Sequence, residues 1–340
     1  MGNKKNSNFY SIIKMLLKIS VAAAVIFWLY RRNSGGNWQQ EIASFSLSLL
    51  IPIVFSAVLP QIAASLRWQA LAVTIGIALS RLKAFSLTMQ ALFFSLIIPG
   101  GSIGGDIVKM AAVSGNIRKG SRTEGIFSIV MDRIVGMIAL FALALILLLY
   151  RKDLFSKMQL PGSSGVIAGN IIWLIFCGVC AAGILAGIVI FLHRKISGNR
   201  LYRFADSKSG GLLTRLAAAT ETYSTHRRRI ILWVLLSMIF IHLLPALTML
   251  LLLKGIGTDA AISTVATAVV IGNIAGLIPF FPSGIGARDA VTIALLTAGG
   301  CLPEKAMTAQ LLATFILIIF NMSGAFFFVF DRQNQEVINE

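Results

Sequence analysis

Six ionisable residues lie in or beside strongly apolar sequence, and their types suit an anion-binding site. They are Asp106, Lys109, Asp132, Arg133, Arg288 and Asp289. A charge at the centre of a bilayer costs roughly 2.5–3.5 kcal/mol on insertion scales, so at membrane depth we expect these residues to be paired, to lie near a surface or to line water. If they line water, Lys109 and Arg288 can bind a phosphate, and arginine can do so through two parallel hydrogen bonds.

Helix geometry limits how these charges can pair. Asp106 and Lys109 are three residues apart and therefore share a helix face. Asp132 and Arg133 are adjacent and point about 100° apart, so we expect separate partners for them. Lys109 with Asp132 is one natural cross-pair, and Asp106 with Arg133 is the other. The alternative to an anion site is an ion-pair network that only fixes helix packing.

Two motifs interrupted by glycine and proline contain most of these charges, at 98–109 and 278–289. Glycine permits an open backbone turn, and a turn that leads into a helix N-terminus presents free N–H groups and a positive dipole end to phosphate. Two interrupted segments, one in each half of a chain, are typical of a transport site. Arg288 and Asp289 are adjacent, so we expect them to find separate partners as well. The predicted substrate-binding residues are Gly100, Gly101, Gly104, Gly105, Asp106, Lys109, Asp132, Arg133, Ser283, Gly284, Gly286, Arg288 and Asp289.

The composition indicates the class of protein that must position these residues. Hydrophobic residues make up 57% of the 340-residue chain and charged residues 13%, with a mean hydropathy of +0.84. Soluble domains have about 45–50% apolar residues and about 25% charged residues, so the chain is predicted to be an all-α polytopic membrane protein. The net charge of +17 is explained by basic loops between apolar segments, and we expect no nucleic-acid partner.

The apolar runs predict about six full spans and two broken hairpins within a single transmembrane domain, 1–340. A first half, about 1–168, holds the broken hairpin 84–115, and a second half, about 169–340, holds the broken hairpin 261–299. Residues 68–80, after Arg67, are apolar but short, and we expect them to lie at the interface. The predicted full spans are 11–30, 42–66, 121–150, 169–192, 230–253 and 305–330.

The basic loop 193–229 sets the predicted orientation, because positively charged loops stay in the cytoplasm. Counting from it places both termini in the cytoplasm and the chain in the inner (cytoplasmic) membrane. Hairpin 84–115 then starts and ends inside, whereas hairpin 261–299 starts and ends outside. Two re-entrant hairpins that enter from opposite faces indicate an inverted repeat. The alternative is that each hairpin is two ordinary short spans.

The remaining reactive residues point to no catalytic set. Cys177 and Cys180 lie in an apolar run without other metal ligands nearby, so we expect them to serve as small apolar packing residues. For His242 we expect a hydrogen bond to a helix carbonyl or simple packing, with a proton relay as the alternative. No nucleophile, metal set or nucleotide motif has a persuasive spacing. We therefore predict that the protein is not an enzyme and has no cofactor.

The motifs resemble those of the lysylphosphatidylglycerol synthase transmembrane, flippase-like family over nearly the whole chain. The best-known member of that family has a separate aminoacyl-transferase domain that is not in this sequence, so the resemblance implies lipid flipping and not aminoacyl transfer. The family often has arginine where this chain has Lys109 and glutamate where it has Asp289. The resemblance rests on Arg67-Trp68, Pro99-Gly100-Gly101, Gly104-Gly105-Asp106, Lys109, Asp132-Arg133, Gly136, Pro279, Pro282, Gly284-Ile285-Gly286 and Asp289.

The function predicted from these observations is translocation of a lipid with an anionic or glycosylated headgroup between leaflets. The second hypothesis is an accessory membrane subunit of a glycosyltransferase or another lipid-modifying enzyme, which would dock on loop 193–229. The third is an intramembrane enzyme that uses Asp106 or Asp132 as a base. Downhill flow and ion coupling both remain open as driving forces, and the sequence leaves the lipid and the oligomeric state open.

Overall fold

The structure, a computed structural model, describes residues 45–98, 102–116, 122–158, 165–192, 221–278 and 282–339. All regular secondary structure in these residues is helical, which confirms the predicted class. One segment, Met238–Leu243, is π-helical, and single 3-10 turns form at Leu47–Leu49 and Pro282–Gly284. The helices are α1 (Leu50–Thr74), α2 (Arg81–Ile97), α3 (Ser102–Asn116), α4 (Arg122–Tyr150), α5 (Lys152–Ser156), α6 (Gly165–Leu192), α7 (Arg227–Ser237), α8 (Leu244–Gly255), α9 (Ile262–Ala275), α10 (Ala287–Ala298) and α11 (Pro303–Asn339).

Five helical segments in the described part of the chain are long and apolar enough to cross a membrane. Each has 23 to 29 residues, and about 20 residues span the hydrocarbon core. The predicted first span, 11–30, lies outside the described residues. The polytopic architecture is therefore confirmed. The five spans are Leu47–Thr74, Thr123–Tyr150, Ile167–Val189, Arg227–Gly255 and Pro303–Phe330.

Helix α1 corrects the prediction of an interfacial segment at 68–80. It continues without a break past Arg67 and Trp68 and ends at Thr74. Both of those side chains are buried, so the arginine belongs to the interior of the protein and does not mark a membrane boundary. The chain then turns at Gly76, whose φ of 82° lies in the left-handed region that favours glycine.

Side-chain contacts define the two ends of the helix bundle. At one end Arg151, which follows α4, donates hydrogen bonds to Ser263 and Thr264 at the start of α9. At the other end the Tyr223 hydroxyl donates to the carbonyl of Leu71 near the end of α1. Since α4 runs from one end to the other, the hairpin α2–α3 starts and finishes at the Tyr223 end. The hairpin α9–α10 starts and finishes at the Arg151 end.

The two hairpins meet at their tips. The hydroxyl oxygens of Ser95, near the end of α2, and Ser283, between α9 and α10, lie 3.0 Å apart. The turn Pro282–Gly284 also contacts α3. The four hairpin helices have 12 to 17 residues, or roughly 18–26 Å at about 1.5 Å per residue, and none reaches the ~30 Å of a hydrocarbon core. This opposed arrangement favours re-entrant hairpins over pairs of ordinary spans. An inverted repeat stays a prediction.

Cross-linking tests this arrangement. In a background in which Cys177, Cys180 and Cys301 are replaced by alanine, a variant with Ser95→Cys and Ser283→Cys should form a disulfide under mild oxidation. The expected result is a faster-migrating band on a non-reducing gel that reduction removes. A matched variant, Ser95→Cys with Ser263→Cys, places the second thiol at the far end of α9 and should not cross-link. Equal cross-linking of both variants would contradict the arrangement.

The apolar core lies between α4, α8, α9 and α10. Ala144, Leu253, Val270 and Leu295, one from each of these helices, are completely buried. Helix α11 packs along α10 near its start and along α2 past its middle, where Gly324 leaves no room for a Cβ beside the carbonyl oxygen of Met89. Helix α11 therefore contacts both hairpins and helps to fix their relative position.

Candidate functional site

Asp106 on α3 and Arg133 on α4 form a bidentate ion pair. The Nε of Arg133 donates to Oδ2 of Asp106 at 2.6 Å, and its Nη2 donates to Oδ1 at 2.7 Å. Two parallel hydrogen bonds fix the guanidinium and the carboxylate in one geometry. This predicted cross-pair is confirmed, and it ties the first broken hairpin to the long helix α4.

Asp132 on α4 pairs with a cation outside both motifs. Arg67 of α1 donates from Nε to Asp132 Oδ1 at 2.7 Å, and both side chains are buried. The same guanidinium donates to Ser237 Oγ at 3.1 Å. A Cβ on Gly136 would lie 2.9 Å from the Arg67 guanidinium, so a larger residue there would displace the guanidinium from its place beside Asp132. The predicted pair of Lys109 with Asp132 is wrong, because Arg67 takes that carboxylate.

Lys109 on α3 is a buried cation without a carboxylate partner. Its Nζ lies 3.7 Å from the ring centroid of Trp68, and it makes no hydrogen bond or ion pair with any residue that the structure describes. The residue is only 6% exposed. The face of an indole attracts a cation, but it leaves the three N–H donors of the ammonium unused. Lys109 therefore has hydrogen-bonding capacity to offer to a ligand.

A cavity of about 220 Å³, here named the lysine cavity, lies beside Lys109. The two ion pairs described above also line it, so its wall carries three cations and two carboxylates, an excess of one positive charge. Thr88 of α2 adds a buried hydroxyl, and within the described residues its Oγ1 finds no hydrogen-bond partner. An ammonium and a hydroxyl that are both unused can together bind a phosphate or carboxylate oxygen.

The second motif is organised around a buried carboxylate. Asp289, which is 1% exposed, accepts hydrogen bonds from the guanidinium of Arg288, from Gln310 at 2.7 Å and from the backbone N–H of Gly286 at 3.0 Å. Separate partners for Arg288 and Asp289 were expected, and this prediction is wrong, because the long arginine side chain folds back over the first turn of α10. The N–H of Gly286 is thus already bound by a protein carboxylate.

A second cavity of about 330 Å³, the arginine cavity, lies beside Arg288. Gln61 and His242 line both cavities, so the two adjoin. The Nε2 of His242 lies 3.0 Å from the carbonyl oxygen of Gly136, which confirms the expected hydrogen bond to a helix carbonyl. The residue belongs to the π-helical segment before Pro245, and such single-turn interruptions frequently occur at functional sites.

The motif glycines fall into two groups. Ser283, Gly284 and Gly286 have φ values of 47°, 72° and 100°, and they form the predicted open turn. Gly104 and Gly105 lie inside α3, so the turn predicted for them is wrong. Their absent side chains allow α3 to approach α2. Gly100 and Gly101 lie outside the described residues.

Gly105 gives a direct test of this close approach. A Cβ at this position would lie 2.1 Å from the carbonyl oxygen of Ala91, and a backbone atom cannot rotate away. We expect Gly105→Ala to lower the free energy of unfolding by about 1–3 kcal/mol, as overpacking does. The control is Gly178→Ala on α6, where a Cβ meets nothing within 4 Å and where alanine favours the helix by about 1 kcal/mol. Thermal unfolding in detergent measures both, and equal midpoints would contradict the packing role.

The sequence prediction of the site omitted three residues that the structure places there. Arg67 and Trp68 were assigned to a helix end, although they belong to the motifs that carry the family resemblance. Thr88 had no signal, because a threonine in an apolar helix is common and its unsatisfied hydroxyl depends on its neighbours. The structure brings Asp106, Lys109, Asp132 and Arg133 together around the lysine cavity and places Arg288 at the adjoining one.

The comparisons with known proteins agree with this architecture. A family model described as the lysylphosphatidylglycerol synthase TM region matches residues 15–323, which include both hairpins and both cavities. A comparison with curated protein sequences returned no match. The apolar spans make the chain a multi-pass membrane protein. It belongs to the lysylphosphatidylglycerol synthase TM region family.

Proposed function

We propose that this protein translocates a lipid with an anionic or glycosylated headgroup between the leaflets of the cytoplasmic membrane. The observation that carries the proposal is Lys109, a buried ammonium whose N–H donors face a cavity and bind no described residue. Burying an ammonium whose N–H donors have no hydrogen-bond partner is unfavourable, so a residue of this kind is a functional candidate by default. An anionic group of the substrate is the partner that would complete it.

The position of the lysine cavity supports a role in lipid transport. It lies where the hairpins from the two ends of the bundle approach each other, since Ser95 lines it and bonds Ser283 of the opposite tip. Its neighbour, the arginine cavity, shares Gln61 and His242 with it. Two adjoining cavities that each contain charged and polar side chains offer a headgroup successive sites on a path across the membrane, while its acyl chains remain in lipid.

A liposome assay tests the proposal directly. Purified protein is reconstituted with a trace of phosphatidylglycerol that carries a fluorophore on one acyl chain, and dithionite is added outside to bleach the outer leaflet. Translocation exposes inner-leaflet lipid, so protein-containing vesicles should lose nearly all fluorescence. Vesicles without protein should keep the inner-leaflet signal. A headgroup with no net charge, phosphatidylethanolamine, should move more slowly. Identical bleaching with and without protein would contradict the proposal.

The two alternatives have less support. An intramembrane enzyme that uses Asp106 or Asp132 as a base would have to break an arginine ion pair, because each carboxylate is held by a guanidinium. An accessory subunit would dock through the basic loop 193–229, of which 193–220 lie outside the described residues. Co-purification of an enzyme that is lost when the loop is deleted would favour that hypothesis.

A further inference from the structure

Three amide side chains face the arginine cavity without hydrogen-bond partners. They are Gln61 of α1, Asn273 of α9 and Asn321 of α11, and their side chains bond to no residue in the part of the chain that the structure describes. Asn321 is only 4% exposed. Gln61 and Asn273 are half-buried, and the three amides come from separate helices and converge on one space, where a polar ligand can bind their donors and acceptors.

The hydroxyl groups and the fourth amide on the same wall are already hydrogen-bonded within the protein. Ser56 and Thr248 bond each other at 2.8 Å, and Gln310 donates to Asp289 at 2.7 Å. Gln310 is an informative contrast, because it is an amide of the same cavity whose donors are bound within the protein. Among the amides and hydroxyls that line this cavity, the unused hydrogen-bonding capacity therefore belongs to the three amides.

The chemistry of these amides indicates the chemistry of their ligand. An amide is uncharged and offers two N–H donors and one carbonyl acceptor. A hydroxyl group both donates and accepts, so several hydroxyls on one small group match three amides, whereas a phosphate oxygen can only accept. The cavity volume of about 330 Å³ lies within the range of about 300–1,000 Å³ that is usual for small-molecule sites.

We propose that the arginine cavity binds the neutral, hydroxyl-bearing part of the lipid headgroup, a sugar or a glycerol, while the lysine cavity holds its anionic group. This inference rests on the proposed function and narrows its substrate class. Gln61 lines both cavities and so stands where the two parts of one headgroup would join.

Matched lipids test the inference on the wild-type protein. Native mass spectrometry of the purified protein measures retention of phosphatidylglycerol against phosphatidylmethanol, a phosphodiester without hydroxyls. It also measures retention of glucosyl diacylglycerol against its permethylated form. We expect the hydroxyl-bearing member of at least one pair to bind about tenfold more tightly, as one or two additional hydrogen bonds would give. A preference in the first pair identifies glycerol, and one in the second identifies sugar. No preference in either pair overturns the inference.

Two variants separate the roles of the cavities. Asn321→Leu, which keeps the size of the side chain, should remove the preference for hydroxyls while leaving phosphatidylmethanol binding within about twofold. Lys109→Met should weaken both phospholipids equally and keep the preference. If the Asn321→Leu protein keeps the preference for hydroxyl-bearing lipids, the assignment of that preference to the arginine cavity is overturned. If the protein transports phosphatidylglycerol but shows no binding preference for hydroxyls, only this inference is rejected. If it shows the binding preference but transports no lipid, the proposed translocation is rejected.

Discussion

Replacement of Lys109 by methionine should slow lipid translocation in liposomes by about 10- to 100-fold, because one charged hydrogen bond to a buried ligand is worth about 1.5–3 kcal/mol. Methionine keeps the length and the apolar stem of lysine and removes only the ammonium. The site has no carboxylate bound to Lys109, so its removal leaves no buried charge unpaired. We therefore expect the variant to fold, with a thermal midpoint close to that of the wild type.

The matched control is Lys152→Met. Lys152 also lies over an indole, with Nζ 4.6 Å from the ring centroid of Trp173, but it is exposed and far from both cavities. The Lys152→Met variant should therefore translocate lipid at the wild-type rate. Lys109→Arg keeps the charge and should keep most of the activity. Wild-type rates for a folded Lys109→Met protein would reject the lysine cavity as the headgroup site. Arg288 is a less suitable target, because its removal leaves the buried Asp289 without its cation.

Removal of Asp132 should have the largest effect on stability. Breaking a buried ion pair on one side costs about 3–5 kcal/mol, because the remaining charge is left uncompensated. We expect Asp132→Leu to unfold at a much lower temperature than the wild type, since it strands the guanidinium of Arg67 in the interior. The double variant, Arg67→Met with Asp132→Leu, removes both charges and should recover most of the loss.

A partly exposed ion pair of the same chain supplies the comparison. Asp153 pairs with Arg151 at 2.9 Å but is 44% exposed, and pairs of this kind contribute about 0–1 kcal/mol. The Arg151 guanidinium lowers the pKa of the Asp153 carboxyl through a side-chain hydrogen bond. Asp153→Leu should therefore shift the thermal midpoint only slightly near neutral pH. If Asp132→Leu shifts it no more than Asp153→Leu does, the buried pair does not have the structural role assigned to it.

Much of the fold could be predicted from local sequence. Apolar runs predicted four of the five described spans to within about three residues at each end, because a membrane helix must satisfy its backbone hydrogen bonds internally and present apolar side chains to lipid. The error at Arg67 has a physical cause. An arginine between two apolar stretches resembles a helix end unless its buried partner is known, and that partner, Asp132, lies 65 residues away.

The candidate site was predictable in its residue types and less so in its pairings. The cost of charges in an apolar chain identified Asp106, Lys109, Asp132 and Arg133. The pairing of Asp106 with Arg133 was predicted correctly from helix geometry. Arg67 was not considered as a partner for Asp132, because it lies outside both motifs. Gly104 and Gly105 show the same limit, because a glycine that permits a turn and one that permits close helix packing are identical in sequence.

The sequence by itself determined a multi-pass helical membrane protein with two interrupted segments and a set of buried charges, because hydropathy and charge act locally along the chain. Only the tertiary structure decided that the two interrupted hairpins meet at Ser95 and Ser283, that Arg67 and not Lys109 binds Asp132, and that Lys109 is left facing a cavity. Those outcomes depend on which helices pack together. An ion pair is a competition among all charges within reach, and reach is set by three-dimensional distance and not by spacing in the chain.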